Sequence, residues 1–452
     1  MHKFHHRLRV IKFISTLLAC FIVTFLILYV IQKKENILLG LASIITSPAI
    51  LITDFILVGG IGAAFLNALL IFFFNFILIR ILKLKITGIV IACLLTVFGF
   101  SFFGKNMLNI LPFYIGGIFY CIYAHEELSD NFVPIAFSSA LAPFVSEIAF
   151  QVGSTESSYV GAIILGIGIG FIICPLAKKM YHFHEGFNLY NLGFTGGILG
   201  AVIASILKLY DVPIEPQYLV STEHHFFLSV LCSAIFGALI LIGLLIKDVH
   251  IHYYFKLLRD PGFHTDFTKK YGYGPSFINM GIMGFLSMLF LSLEGQTLNG
   301  PILAGIFTVV GFAAYGKTPL NTFPILLGVH LASYGSNTPL FSICLSGLFG
   351  TALAPIAGVY GTLWGVVAGW LHLSVVQSIG IIHSGLNLYN NGFSCGIVAS
   401  VLLPVMNMVS EQNAKSKLHL LKRHKVYIQA INRHFETQKK EEIHEKNTTH
   451  SH

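Results

Sequence analysis

The sequence predicts an all-α polytopic membrane protein made of two homologous inverted-topology repeats, with about 12–14 transmembrane or re-entrant segments. Three observations carry this reading. Of 452 residues, 55% are hydrophobic and 11% charged, and the mean hydropathy is +0.77, whereas soluble domains carry about 25% charged residues. Apolar runs such as 11–30, 55–79, 159–177 and 226–246 reach or approach the roughly 20 residues a helix needs to cross hydrocarbon, without the alternation of barrel strands. Third, the chain repeats itself: His184-Glu185-Gly186-Phe187-Asn188-Leu189-Tyr190-Asn191-Leu192-Gly193-Phe194-Thr195 returns as His383-Ser384-Gly385-Leu386-Asn387-Leu388-Tyr389-Asn390-Asn391-Gly392-Phe393-Ser394.

A second pair establishes duplication. Thr96-Val97, Gly99-Phe100, Gly104-Lys105, Leu108-Asn109 and Pro112 match Thr308-Val309, Gly311-Phe312, Gly316-Lys317, Leu320-Asn321 and Pro324, and Leu141-Ala142-Pro143 matches Leu353-Ala354-Pro355. These pairs lie 212 positions apart and the Asn-Tyr-Asn motifs 199 apart, so the first half holds 13 extra residues. The expected place is the 153–158 loop and its flanks.

Segment by segment, 1–36 reads as a cytoplasmic start and an uncleaved first span, and 37–210 as the first repeat. In it a re-entrant or interfacial stretch (37–52) precedes spans near 54–79, 86–104, 107–124, 131–150, 158–177 and 186–207. Residues 211–270 form a linker span and loop. The second repeat, 271–410, holds segments near 275–294, 298–316, 319–335, 338–357, 359–379 and 383–409, and 411–452 is a charged tail in which 415–435 would form a surface helix. Lys and Arg gather at the N-terminus, 80–85, Lys178-Lys179, 247–270 and the tail. Basic residues in short loops mark the cytoplasmic side, so both termini are expected there. The first repeat then enters from outside and the second from inside, which is the inversion.

The net charge of +8 is explained by this loop bias, and no nucleic-acid partner is read from it. The seven cysteines lack CxxC spacing, so neither a disulfide frame, a metal site nor any cofactor is expected. No Walker loop, HExxH or nucleophile elbow is present.

Chemistry is expected where polar groups interrupt apolar segments. A bare amide in hydrocarbon is costly, so Gly- and Asn-rich breaks are tolerated only against protein or a wet cavity. Asn188, Tyr190 and Asn191, with Asn387, Tyr389 and Asn390, are therefore the candidate solute-binding set. The alternative is that they are interhelical hydrogen-bonding and packing positions. Lys105 and Lys317, with Asn109 and Asn321 beside them, are candidate anion-attracting groups, since a lysine at depth usually marks a pathway; the alternative is an ordinary Gly-Lys turn with a snorkelling amine. Glu147, whose equivalent position in the other repeat is Val359, is a proton-coupling candidate or an interfacial acid. His184 and His383 are further proton-coupling candidates or helix caps, and His330 and His372 read as structural.

Where the repeated motif joins Asp54-Phe55-Ile56-Leu57-Val58-Gly59-Gly60-Ile61-Gly62-Ala63-Ala64-Phe65, the chain resembles a bacterial membrane family known as domain of unknown function 1576, over about residues 40–410. The resemblance implies a bacterial plasma membrane and a duplicated architecture, and it carries no catalytic residue. A looser likeness is to urea transporters, which also pair inverted halves and carry a Gly-aromatic-Asn element, as in Gly186-Phe187-Asn188. Their Thr-x-Pro-Phe element is not reproduced, and Thr322-Phe323-Pro324-Ile325 is a partial echo.

The function expected is a transporter or channel for a small polar or anionic solute, bound between the repeats, with a coupling ion and a homo-oligomer both compatible. The alternatives are an integral membrane enzyme using Glu147 and the histidines on a lipid-linked substrate, and a sensor or scaffold acting through the tail.

Overall fold

The computed structural model describes residues 2–152, 155–212, 214–246 and 251–412, with side chains from residue 13 onward. The expected surface helix at 415–435 lies outside them, as does part of the 153–158 loop. Met1–Ser400 form one compact unit and Val401–His452 a second, in which 401–412 are helical.

In chain order the first half holds α1 (His2–Lys33), α2 (Ile37–Thr46), α3 (Phe55–Gly59), α4 (Ile61–Ile81), α5 (Gly88–Phe100), α6 (Met107–Ala124), α7 (Leu128–Ser138), a 3-10 turn Ser139–Leu141, α8 (Ala142–Phe150), α9 (Glu156–His184) and α10 (Asn191–Leu209). After α11 (His225–Leu245) and α12 (Ile251–Leu258), the same order returns: α13 (Phe267–Lys270), α14 (Tyr273–Glu294), α15 (Gly300–Phe312), α16 (Pro319–Ser333), α17 (Leu340–Gly350), a 3-10 turn Thr351–Leu353, α18 (Ala354–Tyr360), α19 (Thr362–Ile382) and α20 (Asn390–Gln412). Among the described residues there are isolated β-bridges but no strand. Among the described residues, eleven helical segments are long and apolar enough to cross a membrane. Three shorter apolar helices, α2, α5 and α15, have 10, 13 and 13 residues, and at 1.5 Å per residue α5 and α15 reach only about 20 Å.

The surface is inverted relative to a soluble protein. Phe13, Leu17 and Phe21 on α1 and Leu363 on α19 are exposed, while Asn67, Lys105, Asn279 and Lys317 are fully buried. Apolar side chains facing outward suit lipid, and the polar groups are kept for the interior.

The repeats are related by reciprocal contacts. A Cβ placed on Gly99 would lie 2.9 Å from Ala304 Cα, and one on Gly311 would lie 3.0 Å from Ala92 Cα. Each contact is the other's equivalent under the 212 offset, which is the signature of a twofold relation. The late part of α5 meets the early part of α15 and the reverse, so the two helices are antiparallel. A twofold that relates antiparallel helices runs perpendicular to them, and for helices that cross a bilayer it lies in the membrane plane. That is the inverted arrangement the sequence predicts.

Buried and half-buried polar groups hold both ends of this frame. Asp266 accepts from the Gly88 backbone N–H at 3.0 Å and so caps α5, and Asp54 takes the equivalent place at Gly300 on α15. Asn67 Nδ2 donates to the Ser101 and Lys105 carbonyls at 2.7 and 2.8 Å, and Asn279 Nδ2 does the same to Ala313 and Lys317 at 2.8 and 2.7 Å. These carbonyls follow the ends of α5 and α15, where no intrahelical donor remains.

The start of α5 lies beside Asp266, the end of α6 beside α9 through Glu126 and Lys178 at 2.6 Å, and the end of α9 beside the 259–266 linker through Tyr181 and His264 at 2.8 Å. These ends share one face, which carries Lys178, Lys179, Lys256, Arg259, Lys269 and Lys270. It is called the basic face below. The extra residues of the first half include the start of α9, which begins at Glu156 and has 29 residues against 21 in α19, so they fall on the flank of the expected loop.

Candidate functional site

The two Asn-Tyr-Asn motifs form the non-helical approaches to α10 and α20, and they meet. Gly193 and Gly392, equivalent residues, approach so closely that a Cβ on Gly193 would lie 2.9 Å from Gly392 Cα. Phe194 and Phe393 stack at 5.8 Å. Each motif docks on the other half: Leu189 N–H donates to the Ala352 carbonyl and Leu388 N–H to the Ala140 carbonyl, both at 3.0 Å. One freed backbone N–H of each break is therefore satisfied across the pseudo-twofold, which helps unwound chain to be tolerated at this depth.

A cavity of about 210 Å³ lies on this junction. Its walls are built from equivalent pairs: Thr96 and Thr308, Phe100 and Phe312, Phe137 and Phe349, Leu189 and Leu388, Tyr190 and Tyr389, Gly193 and Gly392. Asn188, Asn191 and Asn391 add carboxamides, and Tyr181, Gly186 and His264 line its basic-face side. Thr96 Oγ1 is buried without a hydrogen-bond partner, whereas Thr308 Oγ1 donates to the Ala304 carbonyl at 2.6 Å.

Behind the tyrosines stand the lysines. Lys105 Nζ donates to Ser139 Oγ at 2.9 Å and to Tyr389 Oη at 2.7 Å, and lies 4.7 Å from the centre of the Tyr389 ring. Lys317 Nζ donates to Thr351 Oγ1 at 2.6 Å and to Tyr190 Oη, 4.5 Å from that ring's centre. Each lysine thus bonds a hydroxyl of its own half and the phenol of the other. Both are fully buried, and among the described residues neither has a carboxylate within 4.0 Å.

Of the residues singled out from the sequence, Asn188, Tyr190, Asn191 and Tyr389 line the cavity. Lys105 and Lys317 do not; they reach it through the phenol oxygens. Asn109 and Asn321 do not either, because they are spent on the Gly-Lys turns. Asn109 Nδ2 bonds the Gly104 carbonyl and Ser146 Oγ, both at 3.0 Å, and Asn321 Nδ2 bonds the Gly316 carbonyl at 2.9 Å. Their Oδ1 atoms close capping boxes with Asn106 and Thr318.

Asn387 is buried beside the cavity, and Asn390 faces a separate pocket. The carboxamide at the cavity is its neighbour Asn391, which bonds Asn390 Oδ1 at 3.0 Å and pairs with His372 Nε2 at 3.2 Å. His184 is engaged at both ring nitrogens: Nδ1 accepts from Gly186 N–H at 3.3 Å, and Nε2 donates to Asn191 Oδ1 at 3.0 Å. This pattern describes a neutral imidazole that orients Asn191. His383 donates through Nε2 to the Gly197 carbonyl at 2.8 Å, and neither histidine lines the cavity. Glu147 is buried on α8, outside the cavity.

Sequence reasoning missed Phe100, Phe312, Thr96 and Thr308 as wall residues, although all four stand in the second repeated motif. It also missed Asn391, Tyr181 and His264, which occupy positions where the halves differ. The family model for proteins of unknown function, DUF1576, matches residues 33–209 and 246–408. The chain belongs to this family. No curated protein and no solved structure matches the chain. Both matched stretches cover the equivalent elements, from α2 to α10 and from α12 into α20, so the duplication is a property of the DUF1576 match as well as of this fold.

Proposed function

We propose that this DUF1576 protein moves a small anion across the plasma membrane, with both termini on the cytoplasmic side and the central cavity as the solute site. The supporting observation is the pair of fully buried lysines without carboxylate partners among the described residues, each donating to a tyrosine that lines the cavity. A buried cation is tolerated when a counter-charge completes it. A phenol oxygen that accepts from Lys105 or Lys317 has its own proton to give, and an anion in the cavity is the acceptor that suits both. The size also fits, since a 150 Å³ apolar cavity holds benzene and this one has about 210 Å³ with eight phenylalanine and tyrosine rings in its wall. A carboxylate up to roughly the size of benzoate is the class this space accommodates.

The enzyme reading draws no support from the geometry. Glu147 stands apart from the cavity and His184 is committed at both nitrogens. The test is flux in proteoliposomes holding purified protein, with formate, acetate, benzoate and nitrate offered singly under imposed proton or sodium gradients. We expect uptake of at least one anion that is lost in Tyr190→Phe/Tyr389→Phe. Uptake of none of them, or of neutral solutes alone, overturns the proposal.

A further inference from the structure

The cavity is symmetric at its centre and asymmetric at its rim. On the basic-face side it is lined by Tyr181, Gly186, Asn191 and His264. Under the repeat offsets their equivalents are Gly380, Gly385, Asn390 and Ile52. All four line a second pocket of about 770 Å³, together with Lys208, Asp211 and Gln217. The two spaces are therefore the same structural feature, present once in each repeat. One is continuous with the centre and the other is cut off from it.

The bonding of the two motifs differs in a matching way. At the cut-off side Leu51 N–H donates to the Gly385 carbonyl at 2.9 Å, and Ile50 packs against Gly385. The equivalent residues, Phe263 and Gly186, make no backbone hydrogen bond with each other, and Phe263 stacks instead on Phe187 at 4.5 Å. At the open side His184 Nδ1 accepts from Gly186 N–H, and Asn188 Nδ2 donates to the Gly392 carbonyl at 3.0 Å. Their equivalents, His383 Nδ1 and Asn387 Nδ2, are buried without a hydrogen-bond partner. The groups that would complete them by symmetry are Gly385 N–H and the Gly193 carbonyl. Buried polar atoms in a native fold are nearly always paired, so two orphans in one motif, both satisfied in its twin, identify that motif as the one displaced from its bonded arrangement.

We infer that the second pocket is the vestibule of the opposite face and that the two motif loops exchange bonding states to open the central cavity to one face at a time. In the alternative state the Phe263–Gly186 bond forms and the Leu51–Gly385 bond breaks. His383 and Asn387 then take the partners that His184 and Asn188 hold here. Inverted repeats supply this alternation because either half can adopt the other's conformation. The inference rests on the reading of the cavity as a solute path, but its test does not require a solute.

The test places a reporter thiol in the cavity. Thr96→Cys is introduced together with Cys20→Ser, since Cys20 is the exposed cysteine among seven. The protein is reconstituted in liposomes of known sidedness and treated with a membrane-impermeant thiol reagent from each face. We expect labelling from the basic face at least tenfold faster than from the other. Leu51→Pro, which removes the N–H that holds Gly385, should raise the opposite-face rate at least fivefold and lower the basic-face rate. His264→Ile, which gives the open rim the residue of the closed one, should shift the rates in the same direction. Thr308→Cys serves as a second reporter on the same wall if Thr96→Cys does not fold. Labelling from one face alone in every variant overturns the inference, as does labelling from both faces at rates that neither substitution changes. Two-sided, variant-sensitive labelling in a protein that moves no anion would retain this inference and refute the proposed solute class.

Discussion

The charge of Lys105 can be removed with little change of volume by Lys105→Gln, and the structure sets the size of the effect. Lys105 Nζ lies 2.7 Å from Tyr389 Oη. An anion accepting the proton of that hydroxyl would sit about 5 Å from the ammonium, given ordinary O–H···O lengths of about 2.7 Å and a bent path. At an effective dielectric of about 20 the attraction between unit charges at that distance is about 3 kcal/mol, a factor of about 100 in affinity. Half-saturation for the transported anion should therefore rise about 100-fold in Lys105→Gln. Lys317→Gln should do the same, because Lys317 stands in the equivalent relation to Tyr190. The assay is initial uptake against concentration in proteoliposomes, with a thermal melt in detergent to confirm that each variant is folded. If folded Lys105→Gln saturates at the parental concentration, the lysine is a packing residue and the anion reading fails. If Lys105→Gln is impaired and Lys317→Gln is not, the site is not shared by the two halves.

Two further outcomes follow from the frame. Asn67→Ala and Asn279→Ala each leave two buried carbonyls without a donor, at about 1–3 kcal/mol per lost bond. Both should lower the melting temperature by similar amounts, and a loss confined to one of them would contradict the equivalence of the repeats. Asp260 lies on the basic-face linker, where it accepts from Lys270 Nζ and Tyr271 Oη at 2.6 Å and from Gly262 N–H at 2.8 Å. Burial pushes its carboxyl upward, but these three donors outweigh it and hold the group below the usual aspartate range. A depressed folded value means the contribution to stability is complete above the unfolded value, near ~3.9, and is lost as the pH falls through the folded one. Asp260→Asn should lower stability at neutral pH and flatten this acid limb, as read from melts between about pH 6 and 3; an unchanged acid limb would show that the linker is held by other contacts.

The fold was legible in the sequence to the extent that it depends on repeated polar positions. Gly104-Lys105 and Gly316-Lys317, the Asn-Tyr-Asn motifs and the loop lysines gave the duplication and its inverted threading, because glycine and amides in apolar chain have few uses. The site was legible in part. Tyr190 and Tyr389 were readable because both copies keep them, and Lys105 and Lys317 were readable as buried cations although not as groups acting through the other half's phenol. That exchange depends on tertiary crossing, to which local pattern is blind. Asn391 was hidden because comparison of the repeats favours positions that agree, and its equivalent is Leu192. Tyr181 and His264 were hidden for the same reason, being matched by Gly380 and Ile52. α9 runs on past the expected span of 158–177 to His184, because a helix that continues through Lys178-Lys179 beyond its apolar run leaves no stop signal.

These unmatched positions bear on the exchange inferred above. Two halves of identical sequence would make the states open to either face equal in energy, and the populations would be equal. Here the cavity wall is nearly identical in the two halves, while the rims differ: Tyr181 and His264 hydrogen-bond each other on one side, where Gly380 and Ile52 can form no such bond. A net hydrogen bond contributes about 1 kcal/mol, and about 1.4 kcal/mol shifts an equilibrium tenfold. The Tyr181–His264 pair alone is thus enough to make the state open to the basic face the majority form by several-fold. Tyr181→Phe should then move the Thr96→Cys labelling ratio toward unity while leaving the wall intact. A ratio that stays at the parental value would mean that the preference is set by another difference between the two rims.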